Sequence, residues 1–159
     1  MAQRSPKITG DDGVRYVVDK VKCPNCNNEM EELPTNYPLY DVQCKACYFR
    51  AQVKTTSTGP NTKGEFEGQI RGAGWDILEK TLKAGYQFPP LIVNYKWTDK
   101  ETKKKDQKIL FYPFVPRCQI DQYIRRYKLS QTHKQAGYVM FNYRNLNALP
   151  SIQLYPKKK

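Results

Sequence analysis

The run YDVQCKACYFRAQVKT, from Tyr40 to Thr55, interleaves two chemistries within one apparent β-hairpin. Cys44 and Cys47 form a CxxC knuckle at the turn, Asp41 lies on the first arm, and Gln52 and Lys54 lie on the second. A second knuckle, Cys23 and Cys26 in KCPNC, lies upstream. Together they read C-x2-C-x17-C-x2-C, the spacing of a structural zinc site in which four soft thiolates surround one ion. Disulfides drawn from the same four cysteines are the alternative, and the CxxC spacing favours the metal.

Successive residues of a strand point to opposite sides, so Gln52 and Lys54 share a face with Arg50, while Phe49, Ala51 and Val53 point the other way, into a core. A hairpin partner carrying Asp41 brings its carboxylate beside Gln52 and Lys54. One carboxylate, one amide oxygen and one ammonium at D-x10-Q-x-K make the pattern of a metal-dependent phosphodiesterase site. Oxygen ligands suit Mg²⁺, and the lysine can orient a water or neutralise charge developing on phosphorus. The same spacing also arises by chance, and the default for a lysine on a strand of a basic protein is a solvated charge. The knuckle between Asp41 and Gln52 places the three residues on a stapled element.

At 159 residues the chain is long enough for one domain with a proper core, spanning 1–159, with basic ends at 1–8 and 156–159 expected to be disordered. A formal charge of +12 calls for a polyanionic partner, most simply nucleic acid. No stretch of about 18 apolar residues exists and the N-terminus lacks the apolar run of a signal peptide, so a cytoplasmic protein with no membrane partner is expected. Cys118 is left over from the knuckles and reads as a buried or idle thiol. The single histidine, His133, lies far from the zinc framework, which disfavours the histidine-dependent nucleases that also carry paired knuckles. No glycine pattern of a nucleophile elbow surrounds any serine.

The elements that must position these residues are read as follows. Thr9 to Val21 forms a short helix capped by Thr9 or Asp11; Asp11 and Asp12 could reach a metal, but capping accounts for them. NNEMEELPTNYP is a connector kept irregular by its prolines, Leu39–Cys44 and Tyr48–Thr56 are the hairpin arms, and STGPNTKGEF is a mobile loop. Gln69 to Ala84 carries apolar residues at helical spacing, and Arg71 at its start could bring a phosphate to the helix N-terminus. Leu91–Trp97 and Ile109–Val115 are strands joined by a lysine-rich tip, with Pro113 placing the second at an edge or making it irregular. Asp121–Tyr127 reads as a short helix and Ala136–Tyr143 as a last strand. This order gives an α/β or α+β domain on one mixed sheet.

The knuckle, the Asp, the second knuckle and the Gln52-Val53-Lys54 triplet, in that order, resemble the catalytic domain of DpnI-like restriction endonucleases of the PD-(D/E)XK nuclease superfamily. The resemblance runs from about Asp12 to Tyr143 and includes Ala136-Gly137-Tyr138, where those enzymes carry an Ala-Gly-aromatic segment near the modified base. It implies a PD-(D/E)XK core, a mixed central sheet flanked by helices with an inserted four-cysteine zinc knuckle. It implies cleavage of double-stranded DNA with Mg²⁺ or Mn²⁺, directed to N6-methyladenine. Asp41, Gln52 and the Val53 carbonyl would be metal ligands, Lys54 the water-positioning cation, and Arg50, Arg71 and Tyr138 contacts to DNA; Tyr138 reads equally as a core aromatic. Gln52 stands where those enzymes have Glu, removing one negative charge. Those enzymes also add a C-terminal winged-helix domain, whereas this sequence stops shortly after the nuclease core, which leaves sequence and methylation specificity open. The alternatives are a zinc-ribbon module that binds DNA or RNA without catalysis, and a repair or junction-resolving nuclease on the same core. Oligomeric state is not legible.

Overall fold

The computed structural model describes residues 6–34, 40–74, 88–127 and 136–157. A run of residues buried on both faces, Leu91 to Tyr95, builds the centre of a sheet: β5 (Leu91–Thr98) pairs in parallel with β3 (Arg50–Thr56) and antiparallel with β6 (Lys105–Tyr112). β1 (Met30–Glu32) and β2 (Val42–Cys44) extend it on the β3 side, and β9 (Ile152–Tyr155) closes the other side against β6. The result is a six-stranded mixed sheet in the order β1-β2-β3-β5-β6-β9. A second sheet has the order β4-β8-β7, from β4 (Ile70–Gly74), β7 (Ile120–Tyr127) and β8 (Ala136–Tyr143).

Each face of the large sheet is covered. Helix α1 (Pro6–Lys20) lays Val17, and beyond its end Val21, on Val42, Ala51, Val53, Ile92, Ile109 and Phe111. It approaches β3 closely at Gly13, where a Cβ would stand 2.5 Å from the Thr55 hydroxyl. On the opposite face Leu91, Val93, Tyr95 and Tyr112 pack against Ile70, Ile120, Phe141 and Tyr143 of the small sheet. The Tyr95 and Tyr112 hydroxyls meet at 2.8 Å, so each buried phenol has its partner. Burial raises the pKa of both well above the ordinary phenol value.

A mixed sheet with helix and strand layers agrees with the expected α/β class, but among the described residues one α-helix and a second, three-stranded sheet cover it, in place of a single sheet flanked by helices; the hairpin forms where the sequence places it, with Val42 opposite Ala51. Several local expectations are corrected. Ile70–Gly74 is a strand, not the start of a helix, and the remainder of that expected helix, 75–84, lies outside the described residues. Asp121–Tyr127 is likewise a strand, because eight consecutive residues pair with β8 and the ladder outweighs local helical spacing. Met30–Glu32 within the expected connector forms an edge strand. The helix begins at Pro6, so Thr9, Asp11 and Asp12 fall inside it and not at its start. β6 stops at Tyr112, before Pro113, and β9 makes it an interior strand.

The loop after β3 is irregular as expected, but it is anchored. Phe66 stacks on Tyr95 with ring centroids 3.9 Å apart and lies edge-on to Trp97. Among the described residues no helix is long and apolar enough to cross a membrane. Cys118 is exposed, and His133 lies outside the described residues.

Candidate active site and metal centre

The two knuckles come together. The Sγ atoms of Cys23, Cys26, Cys44 and Cys47 all lie within 4.8 Å of one another. Cys23 and Cys47 are 3.7 Å apart and Cys26 and Cys44 3.4 Å apart. Four sulfurs at about 2.3 Å from a tetrahedral ion sit about 3.8 Å from each other, so the cluster fits zinc, and the separations are too long for disulfides.

The surroundings favour thiolates. Backbone N–H groups of Asn25, Ala46 and Cys47 donate to Cys23 and Cys44 sulfurs at 3.3 to 3.4 Å, and the Asn28 and Asn25 amides donate to Cys26 and Cys47. The Asn28 donors lower the Cys26 pKa to about 6, and the Asn25 amide lowers that of Cys47. Burial instead pushes Cys23 up to about 12. A cation is what reconciles a buried thiol with three close sulfurs.

At the other end of the hairpin the β2–β3 ladder finishes at Asp41. Its N–H donates to the Ala51 carbonyl, and its Oδ2 accepts the Val53 N–H at 2.8 Å. A side chain thus takes the ladder position that a backbone carbonyl would occupy. β3 then turns its hydrogen bonds to β5, beginning with the Gln52 N–H on the Pro90 carbonyl. Because hydrogen-bonding direction alternates along a strand, the Val53 carbonyl points away from β5, toward the side on which Asp41 lies.

Gln52 and Lys54 lie on the face covered by the small sheet. Gln52 is 6% exposed, and its Oε1 accepts a short hydrogen bond from the Tyr143 hydroxyl of β8. Lys54 Nζ donates to the Gly72 carbonyl of β4 at 3.1 Å. Burial lowers the Lys54 pKa, and the nearby Asp41 charge pulls it back up. Tyr143 is driven the other way, first by burial and then by the same carboxylate, and stays a donor. A Cβ at Gly72 would run into the Phe141 ring, so glycine is what lets its carbonyl reach the lysine.

Asp41 and Lys54 are therefore neighbours, and Gln52 and Val53 lie beside Lys54 on the same segment of β3. The donors are all oxygen, and an amide oxygen keeps a second lone pair after accepting from Tyr143, so the set fits a hard cation with a single carboxylate. Tyr143 and Gly72 were missed by the sequence reading; the only sequence signal is inward alternation of Phe141 and Tyr143 on the last strand. Arg50 is exposed on β3, its Nε donating to Gln43 at 2.6 Å. Arg71 is corrected from a helix start to strand β4, opposite Asn142, and Tyr138 lies on β8 opposite Arg125. Two cavities of about 700 Å³ lie elsewhere, one against Lys96 and Trp97 and one beside the first knuckle. Neither contains Asp41, Gln52 or Lys54.

With this geometry in place, comparison with known families is direct. Residues 10–154 match the DpnI family model, described as the Dam-replacing family. The chain belongs to this family of restriction-type nucleases. No curated protein matches it.

Two outcomes test this description. The purified protein should carry about one zinc, and stripping it with a chelator should lower amide-exchange protection at Val42–Cys44 at least tenfold, since such sites are worth roughly 10–16 kcal/mol; unchanged protection would refute a structural metal. For Lys54, the folded pKa lies below the free value of 10.5, so between the two the unfolded chain binds more protons and stability rises with pH. In urea unfolding, wild type should gain on Lys54→Met as pH rises toward 10.5. Parallel curves for the two proteins would show that the ammonium is not buried.

Proposed function

We propose that this chain is a metal-dependent endonuclease that hydrolyses phosphodiester bonds in double-stranded DNA, built as one domain on a PD-(D/E)XK core. The observation that carries the reading is the shared notch: a partly buried ammonium from Lys54 held beside the Asp41 carboxylate, with Gln52 and the Val53 backbone on the same three-residue segment. A basic chain that confines one carboxylate, two neutral oxygens and a cation to the seam between two sheets has the donors for phosphoryl chemistry. Family membership supports the nuclease class.

Asp41, Gln52 and the Val53 carbonyl would hold Mg²⁺ or Mn²⁺. Bound there, a divalent ion lowers the pKa of a coordinated water and neutralises charge on the phosphate. The chain's own residues do the rest. Burial lowers the Lys54 pKa and the Asp41 charge opposes that lowering. The Lys54 ammonium has three donors, one spent on Gly72, and the others are available to orient the attacking water and to meet charge on the phosphoryl oxygens. Tyr143 holds the Gln52 oxygen in place from the small sheet. Hydrolysis then adds water across one P–O bond.

With Gln52 in place of an acid the notch carries one negative charge fewer, which weakens Mg²⁺ binding and favours Mn²⁺. Zinc has a structural role, because four thiolates leave no position open for water. Arg50 and Arg71, with Tyr138, would contact DNA. The N6-methyladenine target rests on the family alone. A cytoplasmic location fits such an enzyme.

The test is digestion of one plasmid, prepared with and without adenine methylation, by wild type and Lys54→Ala in Mg²⁺ and in Mn²⁺. The expected result is discrete fragments from methylated plasmid only, with Lys54→Ala at least a thousandfold slower but still able to bind. Cutting of both plasmids would discard the methyl requirement and keep the nuclease. No cutting by wild type in either metal, with DNA binding retained, would leave a zinc-ribbon binding module.

A further inference from the structure

The two knuckles differ at one position in a way that the fold does not explain. The residue after the second cysteine of each adopts a left-handed backbone conformation, Asn27 at φ 63° and Tyr48 at φ 60°. This is the turn by which a knuckle wraps its metal, and glycine or asparagine suits it, whereas a bulky side chain there is a conformational outlier. Asn27 obeys that rule. Tyr48 breaks it, and gains no packing in exchange, because it is the most exposed large hydrophobic residue among those described, at 71%. Stability alone selects glycine or asparagine here. Strain kept at an exposed aromatic points to a contact outside the chain.

The surroundings indicate which contact. Tyr48 stands at the hairpin tip between Lys45 and Arg50, both exposed. It precedes Gln52 by four residues, at most about 14 Å of extended chain, so the tip and the notch fall within a few base pairs of one duplex. The basic excess of the chain favours a polyanion. A tyrosine ring offers a π-face that any base can meet, and it carries no charge to repel phosphate. We propose that Tyr48 is a DNA-stacking residue, by which the zinc-stapled tip engages a base or sugar beside the scissile phosphate. This rests on the nuclease reading and adds a reason for the knuckle to exist: it holds the ring rigidly at a fixed distance from the catalytic notch.

The experiment measures affinity for a fluorescent 30-base-pair duplex, without divalent metal beyond the bound zinc, for wild type, Tyr48→Phe, Tyr48→Gly and Tyr48→Asn. Melting temperatures of all four are recorded alongside. The Gly and Asn variants should melt at or above wild type and bind at least tenfold more weakly, while Tyr48→Phe binds as wild type does. The slope of log affinity against log salt should stay the same in all four, since a ring neutralises no phosphate. Wild-type affinity in Tyr48→Gly would overturn the proposal, as would equal losses in Tyr48→Phe and Tyr48→Gly. Absence of duplex binding by wild type itself would instead bring down the nuclease reading, and this proposal with it.

Discussion

One hydrogen bond decides how the hairpin becomes a site: the Val53 N–H donating to the Asp41 carboxylate. It ends the pairing of β2 with β3 without leaving a buried N–H unsatisfied, which a simple parting of strands would do. From that point β3 keeps one edge on β5, and among the described residues no strand pairs with its other edge. The carboxylate that terminates the ladder also supplies the negative charge that Lys54 needs in a desolvated setting. Backbone satisfaction and site electrostatics are thus met by the same atoms. Removing the charge while keeping the acceptor would separate the two roles.

The small sheet completes this arrangement from above. Without it Gln52 and Lys54 would lie on an open face and behave as ordinary solvated side chains. Gly72 and Tyr143 convert them, one by accepting from the ammonium, the other by donating to the amide. The same contact closes the larger core, since Phe141 and Tyr143 are both fully buried. Burial here is costly for a cation and for an amide unless each has a partner, and the structure provides both. At the far end of the hairpin the four cysteines are placed so that a bound zinc would hold the turn and keep Asp41 and Gln52 from sliding in register.

What was legible in the sequence follows from what is local. Cysteine spacing and the alternation of Arg50 to Thr56 need no knowledge of the rest of the chain, and both are found in the structure. The hairpin was therefore legible in its arms and faces, while its register, Val42 opposite Ala51, is set by the structure. Failures arose where pairing at a distance overrides local spacing: Ile70–Gly74 and Asp121–Tyr127 have residues that would suit a helix, yet both pair with β8. Reading them as helices hid the small sheet, and with it Gly72 and Tyr143 as neighbours of the notch. β9 was hidden because Ile152–Tyr155 is half exposed and shows no alternation. Tyr48 was visible only as one tyrosine among twelve, and its backbone conformation is what sets it apart.

The central claim is that Asp41 and its neighbours form a divalent-cation site distinct from the four cysteines. Calorimetric titration of Mn²⁺ into zinc-loaded protein, wild type against Asp41→Asn, tests it most directly, because asparagine keeps an oxygen for the Val53 N–H and removes only the charge. One saturable Mn²⁺ site is expected in wild type and an at least tenfold weaker one in Asp41→Asn, with the melting transition retained. Equal Mn²⁺ affinity in the two folded proteins would contradict it.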